Sequence, residues 1–201
     1  TVAGRRVTTD EIVAEVLKDA PFYANSGGGV TLGGGEPLAQ SDFAREILAG
    51  CRLHGLHTAI ETCGHVPWRA LESILPWTDL FLYDLKHVDA EKHRAQTGGG
   101  IALILSNLER LVGAGATAVV RVPVIPGFND TAEDIRAIAA QVARLGIGEL
   151  HLLPYHRLGQ NKYLLAGRQY EFAGGDPVGD GTLASLRDAV AHLGLSVTIG
   201  G

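Results

Sequence analysis

The sequence predicts an α/β fold with a parallel β-sheet, and three observations lead to that prediction. Six short segments rich in Val, Ile and Leu alternate with amphipathic helical patterns along the 201 residues, which is typical of parallel strands joined by right-handed crossovers. The apolar segments show little polar alternation, as in strands that are covered on both faces. The spacing between segments suits either a (β/α) barrel or an open doubly wound sheet, and the length suits one domain.

The individual elements follow from local patterns. Thr8 with Glu11 predicts a capping box at the start of a first helix, and Thr131 with Asp134 predicts a second capped helix start. Ser41 is predicted to cap a helix that begins after a Gly-rich turn. The predicted strands are Gly29–Leu32, His57–Glu61, Leu80–Asp84, Ala118–Ile125, Glu149–Pro154 and Leu195–Ile199.

Composition excludes several classes of protein. With 17 basic and 22 acidic residues the net charge is -5, which argues against a general nucleic-acid surface. No run of 18 apolar residues is present, so no membrane span or membrane partner is expected. Two cysteines do not form a disulfide framework, and a cytoplasmic, reducing location is predicted. The chain begins at Thr1 and contains no Met, so we expect a processed chain or a fragment.

Polar residues gather where the predicted strands end. Ligands of parallel α/β folds bind at the carboxyl ends of the strands, so these residues predict one site. They are Gly33, Gly34, Gly35 and Glu36 after the first strand, Glu61 and Thr62 after the second, Asp84 and Lys86 after the third, Arg121 on the fourth, and Tyr155 and His156 after the fifth.

The Gly-rich stretch before Glu36 is not a phosphate loop. It fits neither G-x-x-x-x-G-K-[ST] nor G-x-G-x-x-G, and Glu36 would repel phosphate where such a loop places Lys. Three glycines let a backbone approach a ligand closely, and a glutamate beside exposed carbonyls suits an ammonium group. The alternative is a tight turn with a solvated glutamate.

Other polar residues leave two interpretations open. Asp84 and Lys86 form either a strand-end ion pair or part of a ligand site. Arg121 lies among valines, and its guanidinium requires an anion or carbonyl groups as partners. These partners belong either to a ligand or to a buried structural salt bridge. His156 is either a ligand contact or a structural residue.

Neither the histidines nor the cysteines predict a metal site. His87 and His93 are six residues apart, roughly 600° around a helix, so they do not share a face. Cys51 lies on an apolar helix face and is predicted to be a core residue. Cys63 follows the second strand and is predicted to pack as a small side chain.

Four segments, in order, resemble the glycyl-radical-enzyme activating enzymes, of which pyruvate formate-lyase activating enzyme is the best known. The similarity runs from about Arg5 to the C-terminus. The matching segments are Ser26–Leu32 followed by Gly34–Pro37, Tyr83–His87, Arg121–Asp130, and Leu152–Gly159 with Lys162 and Tyr163.

The resemblance implies a radical S-adenosylmethionine (SAM) oxidoreductase with a partial (β/α)6 barrel. In that family a 4Fe–4S cluster binds SAM, and an electron cleaves SAM to a 5′-deoxyadenosyl radical. The radical removes a hydrogen from a backbone glycine of a partner enzyme. The implied partners are therefore a glycyl radical enzyme similar to pyruvate formate-lyase and an electron donor such as flavodoxin or ferredoxin.

Matching motifs also carry over roles for individual residues. Gly34, Gly35 and Glu36 would hold the methionyl ammonium group. Asp84, Lys86 and His156 would contact the methionyl and ribose groups, with Arg121 in the same cavity. Glu61, Thr62 and Asp84 could hold a monovalent cation near SAM.

The chain departs from the family at the cluster. The family binds it with C-x-x-x-C-x-x-C, whereas this chain has only Cys51 and Cys63, twelve residues apart, and so supplies no set of cluster ligands. We therefore expect residues 1–201 to be a single domain forming the C-terminal part of a family member, without the first barrel strand, and inactive alone. The alternatives are a non-catalytic barrel remnant that binds SAM or a peptide, and an unrelated α/β enzyme using Lys86 or Glu36 as acid or base.

Overall fold

The computed structural model describes residues 4–155 and 178–200. These residues divide into two compact units. The first unit comprises Arg5–Asp84 and Ala102–Val119. The second comprises Leu85–Ile101 and the described residues from Val120 onward, together with Gly4. A single domain over residues 1–201 stays a prediction.

The first unit contains three parallel strands. They are β1 (Gly29–Leu32), β2 (His57–Thr62) and β3 (Leu80–Asp84). Leu32 lies opposite Ile60, and Thr62 lies opposite Tyr83. Because the strands run in the same direction, their carboxyl ends meet at one edge of this sheet. That edge carries the residues following Leu32, the Glu61–Thr62 pair and Asp84.

Helices cover the strands of the first unit. They are α1 (Thr9–Val16), α2 (Ala20–Ser26), α3 (Ser41–Leu53), α4 (Trp68–Ile74) and α6 (Ile101–Gly113), the last of which begins one residue outside the unit. The predicted capping box at α1 is confirmed, because Thr8 accepts a hydrogen bond from the Glu11 amide and Glu11 accepts one from the Thr8 amide. The apolar side of α1 packs on a core that includes Ile47 and Cys51, so the prediction for Cys51 is confirmed.

The start of α3 differs from the prediction that Ser41 caps it. Ser41 is already helical, and a 3₁₀ turn over Pro37–Gln40 precedes it. Pro37 suits the first position of a helical turn because its ring fixes φ. The Glu36 side chain caps this turn by accepting a hydrogen bond from the Leu38 amide. Glu36 is therefore attached directly to the helical segment that follows β1.

The second unit contains the other parallel strands. They are β4 (Ala118–Val124), which begins in the first unit, β5 (Glu149–Pro154) and β6 (Ser196–Ile199). Arg121 lies opposite His151, and His151 lies opposite Thr198. Its helices are α5 (Ala90–Thr97), α7 (Ala132–Arg144) and α8 (Asp180–Asp188). Thr131 caps α7 by accepting a hydrogen bond from the Asp134 amide, as predicted.

The predicted class of parallel α/β fold is confirmed, and each strand matches its predicted bounds to within one residue. The core of the second unit includes Val122 of β4, Leu150 of β5 and Ile138 of α7, all of them fully buried. Among the residues that the structure describes, no helix combines the length and apolar character that crossing a bilayer requires.

Candidate functional site

The Glu36 carboxylate is held by four donors of its own chain. Oε1 accepts hydrogen bonds from the Leu38 amide at 3.1 Å and the Thr62 hydroxyl at 3.0 Å. Oε2 accepts from the same hydroxyl at 3.0 Å, the Cys63 amide at 3.1 Å and the Cys63 thiol at 3.3 Å. A carboxylate offers about four lone-pair sites, and these donors engage both oxygens, with the single Thr62 proton shared between them. Glu36 thus joins the end of β1 to the end of β2.

Glycine at two positions explains how the turn reaches this arrangement. Gly34 has φ of 117°, in the region that disfavours side chains. A Cβ on Gly33 would lie 2.8 Å from Oε2 of Glu61, so glycine leaves room for that carboxylate against the turn. Gly34 and Gly35 are exposed, whereas Glu36 and Glu61 are partly buried. The structure therefore brings the predicted site residues of β1 and β2 together.

A buried polar layer supports the end of β2. The Thr62 hydroxyl, which donates to Glu36, also accepts a hydrogen bond from the Gly64 amide at 3.0 Å. The Gly64 carbonyl accepts one from the Asn107 side chain at 2.8 Å. Tyr83 on β3 is fully buried and donates to the Ile104 carbonyl at 2.7 Å. These contacts fix the backbone that presents Thr62 and Cys63 to Glu36.

Burial raises the pKa of the Tyr83 hydroxyl well above its usual range, and charge repulsion from Cys63 and Glu36 adds to the rise. In the unfolded chain a tyrosine ionises near pH 10. Below that pH the tyrosine is neutral in both the folded and the unfolded chain. Above it only the unfolded chain ionises readily, so the free energy of unfolding falls as the pH rises.

This shift predicts alkaline sensitivity. The free energy of unfolding should fall above about pH 10 by about 1.4 kcal/mol per pH unit because of Tyr83. Urea unfolding at about pH 9 and about pH 11 would measure the fall. In Tyr83→Phe this component of the slope should disappear, and an unchanged slope in that variant would contradict the assignment.

The remaining predicted site residues are placed as follows. Asp84 ends β3 in the first unit and is partly buried. In the second unit, the Arg121 carbonyl accepts a hydrogen bond from the Leu85 amide at 2.9 Å, and the Lys86 carbonyl accepts one from Asn129 at 2.6 Å. His156 lies outside the described residues. The roles predicted for these side chains stay predictions.

His87 belongs to a buried network in the second unit. Its Nδ1 accepts a hydrogen bond from the Asp89 amide at 2.9 Å, so its proton is on Nε2, which lies 3.1 Å from Oδ1 of Asp134. Burial raises the pKa of Asp134, but hydrogen bonds from Lys92 and Thr131 outweigh it, and the net pKa is lowered. Ionised Asp134 is therefore a suitable acceptor for the Nε2–H group of His87.

His93 serves a separate contact, with Nδ1 at 2.9 Å from the Gly99 carbonyl. The two histidines thus have different partners and no shared ligand position. Within residues 4–155 and 178–200, no group of three or more His, Cys, Asp or Glu side chains is placed to hold a metal ion.

The cysteines of this chain do not fit a 4Fe–4S cluster. Cys51 is fully buried in the apolar core beneath α1, and burial raises the pKa of its thiol. Cys63 donates from its thiol to Glu36. A cluster needs several accessible thiolates, and the 201 residues hold only these two cysteines.

Several residues that build the site were not found from sequence. Asn107 and Asn129 are almost fully buried amides. Asn129 lies within the segment Arg121–Asp130, which resembles the family, but the resemblance does not reveal which groups this amide bonds. The signal that was available is a polar side chain just after a strand or within an apolar helix face, since such groups are buried only with partners.

The family model described as the radical SAM superfamily matches residues 1–153. The chain belongs to the radical SAM superfamily. That superfamily uses SAM with a 4Fe–4S cluster, so the predicted fold class, enzyme class and cofactors agree with this membership.

Known activating enzymes are similar to most of the chain. The isethionate sulfite-lyase activating enzyme of Oleidesulfovibrio alaskensis is 49% identical over 168 residues, which cover 83% of this chain and 54% of that protein. The benzylsuccinate synthase activating enzyme of Thauera aromatica is 42% identical over 205 residues, covering 100% of this chain and 62% of that protein. The chain thus spans little more than half the length of these curated relatives.

A solved structure is also similar. A domain of pyruvate-formate lyase-activating enzyme from Bacteroides vulgatus has a TM-score of 0.72 and 28% identity, covering 87% of this chain and 99% of that chain. The predicted resemblance to glycyl-radical-enzyme activating enzymes is confirmed by these relatives and this structure.

Proposed function

We propose that this chain is the SAM-binding part of an activating enzyme that generates a glycyl radical on a partner enzyme. The observation that carries the proposal is the Glu36 network, which holds an exposed glycine turn at the carboxyl ends of parallel strands. Such strand ends are where ligands bind in parallel α/β folds. The similarity to activating enzymes supplies the reaction class.

Glu36 is proposed to act in two ways. Its bonds to Leu38 and Cys63 hold the turn, and its negative charge favours the ammonium group of SAM nearby. The exposed residues Gly34 and Gly35 offer backbone carbonyls to the same ammonium group.

The other charged residues are proposed to contact the remaining groups of SAM. Lys86 and Arg121 are cations suited to the methionyl carboxylate, with Arg121 offering a planar fork of donors. Asp84 and His156 are proposed contacts of the methionyl and ribose groups. Glu61 and Asp84, with Thr62, are proposed to hold a monovalent cation.

SAM supplies a 5′-deoxyadenosyl group for hydrogen abstraction when it is bound and reduced. The cysteines present here do not fit the cluster, so these residues bind and orient SAM without taking part in its reduction. The proposed partners are a glycyl radical enzyme and a donor such as flavodoxin or ferredoxin. An alternative is a non-catalytic SAM- or peptide-binding module.

The proposal predicts weak SAM binding that depends on Lys86. Because cluster coordination is missing, we expect a dissociation constant of roughly 1 mM, measured by ligand-observed NMR. Lys86→Ala should weaken binding about tenfold through loss of a charge-assisted hydrogen bond. Lys18→Ala is the matched control, because it removes an exposed lysine that pairs with Glu15 of α1. This variant should bind SAM as the parent chain does.

No detectable binding at about 10 mM SAM, ten times the expected constant, would contradict the proposed function. Equal affinity in the parent chain and Lys86→Ala would contradict the role of Lys86. Glycyl radical formation, followed by electron paramagnetic resonance with the full-length protein and candidate partners, separates the activating enzyme from the non-catalytic module.

A further inference from the structure

Two contacts fasten the residues after β3 to the segment after β4, and both lie within the second unit. The first is made by Asn129, which is fully buried. Its Nδ2 donates to the Lys86 carbonyl at 2.6 Å and to the Pro123 carbonyl at 2.9 Å, while its Oδ1 accepts from the Ile125 amide at 2.6 Å. Both amide protons are thus used on backbone oxygens.

The second contact is made by His87, the residue that follows Lys86. Its Nε2 donates to Asp134, in the first turn of α7, and its ring lies 5.3 Å from that of Phe128. The side chain of His87 is 3% exposed, and that of Asp134 is 7% exposed. Since the Asp89 amide occupies Nδ1, both ring nitrogens are engaged.

These contacts hold the peptide that carries Lys86 from both sides. Asn129 holds the carbonyl of Lys86, and His87 holds the next side chain. A lysine has a long flexible stem, so its ammonium is placed only as well as the backbone beneath it. Lys86 itself is partly exposed, whereas Asn129 and His87 are buried and cannot meet a ligand.

We propose that Asn129 and His87 are positioning residues for Lys86. They set the backbone from which its ammonium reaches the carboxylate of SAM, and the contact with SAM rests on the proposed function. A purely structural role would affect the stability of the second unit alone. A positioning role also changes the surroundings of the Lys86 ammonium in a chain that remains folded.

Paired substitutions at His87 separate the two roles. Gln places its amide nitrogen near the position of Nε2 and can still donate to Asp134. Asn reaches only the position of Nδ1 and loses that bond. His93→Asn is the matched control, because His93 is a second buried histidine on the same segment whose ring contacts Gly99 rather than Asp134.

The first readout needs no ligand. Lysines are dimethylated with ¹³C-formaldehyde, and the NMR signal of Lys86 is assigned by its absence in Lys86→Arg. We expect His87→Asn to shift this signal and to weaken SAM binding about tenfold. His87→Gln should restore both values, and His93→Asn should leave both unchanged.

Asn129→Asp provides a second route to the same test. It keeps the shape and the acceptor for the Ile125 amide, but it turns an oxygen toward two carbonyls, so it should shift the Lys86 signal as well. It also carries the test if His87→Asn does not fold. An unchanged Lys86 signal in folded variants at both positions would overturn the proposal. If the parent chain does not bind SAM, the proposed function fails, and the Lys86 signal still decides the positioning role.

Discussion

Replacing Glu36 with Ala is expected to lower the free energy of unfolding by about 3 kcal/mol. The change leaves the Leu38 amide, the Thr62 hydroxyl and the two donors of Cys63 without their acceptor. Hydrogen bonds to charged groups contribute about 1.5–3 kcal/mol each, and water reaching this partly buried site recovers some of the loss. Urea denaturation with both proteins at the same pH measures the difference.

The same experiment tests whether Glu36 acts as a network centre. Glu36→Gln keeps the size of the side chain but presents an N–H₂ group to donors, so it should cost about 2 kcal/mol. Glu46→Ala removes an exposed glutamate on α3 and should stay within about 0.5 kcal/mol of the parent. If Glu36→Ala matched this control, the hydrogen bonds from these four donors would contribute nothing to stability.

Replacing Gly64 with Ala is expected to cost about 4 kcal/mol or to prevent folding. A Cβ at Gly64 would overlap the hydroxyl and ring of Tyr83, which is fully buried and bonded to Ile104. The φ of 67° adds strain for any residue with a side chain. The two effects act together, because moving Tyr83 also breaks a buried hydrogen bond.

Gly115→Ala isolates the backbone part of this cost. Gly115 lies in the same unit at φ of 79°, and a Cβ there meets nothing within 4 Å. That variant should lose only about 1 kcal/mol, which is the usual cost of the left-handed conformation. Thermal and urea unfolding would compare the two. Equal losses in both variants would mean that Tyr83 moves aside without cost.

The sequence predicts the strands well because their identity depends on local composition. A run such as Leu80–Asp84 has the length and composition typical of a strand, and the capping box at Thr8 and the N-cap at Thr131 each depend on residues three positions apart. An element without such a local pattern was not predicted. Helix α5 has no apolar face, with His93 its only buried residue, and it forms because Asp89 caps its first turn.

The bonding within the site could not be predicted from one sequence. Glu36 finds its donors 26 and 27 residues away, and that pairing depends on the parallel register of β1 and β2. Asn129 bonds to Lys86, 43 residues earlier. Sequence patterns place such residues at the same edge of a sheet, but hydrogen-bond partners depend on distances of tenths of an ångström. The charge of Glu36 predicted a ligand contact, whereas its bonds to Thr62 and Cys63 could be found only from the fold.

The Glu61 side chain fills the space next to Gly33. A methyl group on Gly33 would lie 2.8 Å from a carboxylate oxygen of Glu61. In evolutionary terms the two positions are coupled in one direction. With glycine at 33, position 61 accepts a shorter residue without crowding, whereas a side chain at 33 requires the end of the flexible Glu61 side chain to move or to be shortened. Directed-evolution libraries built on this chain should therefore pair changes at position 33 with changes at position 61.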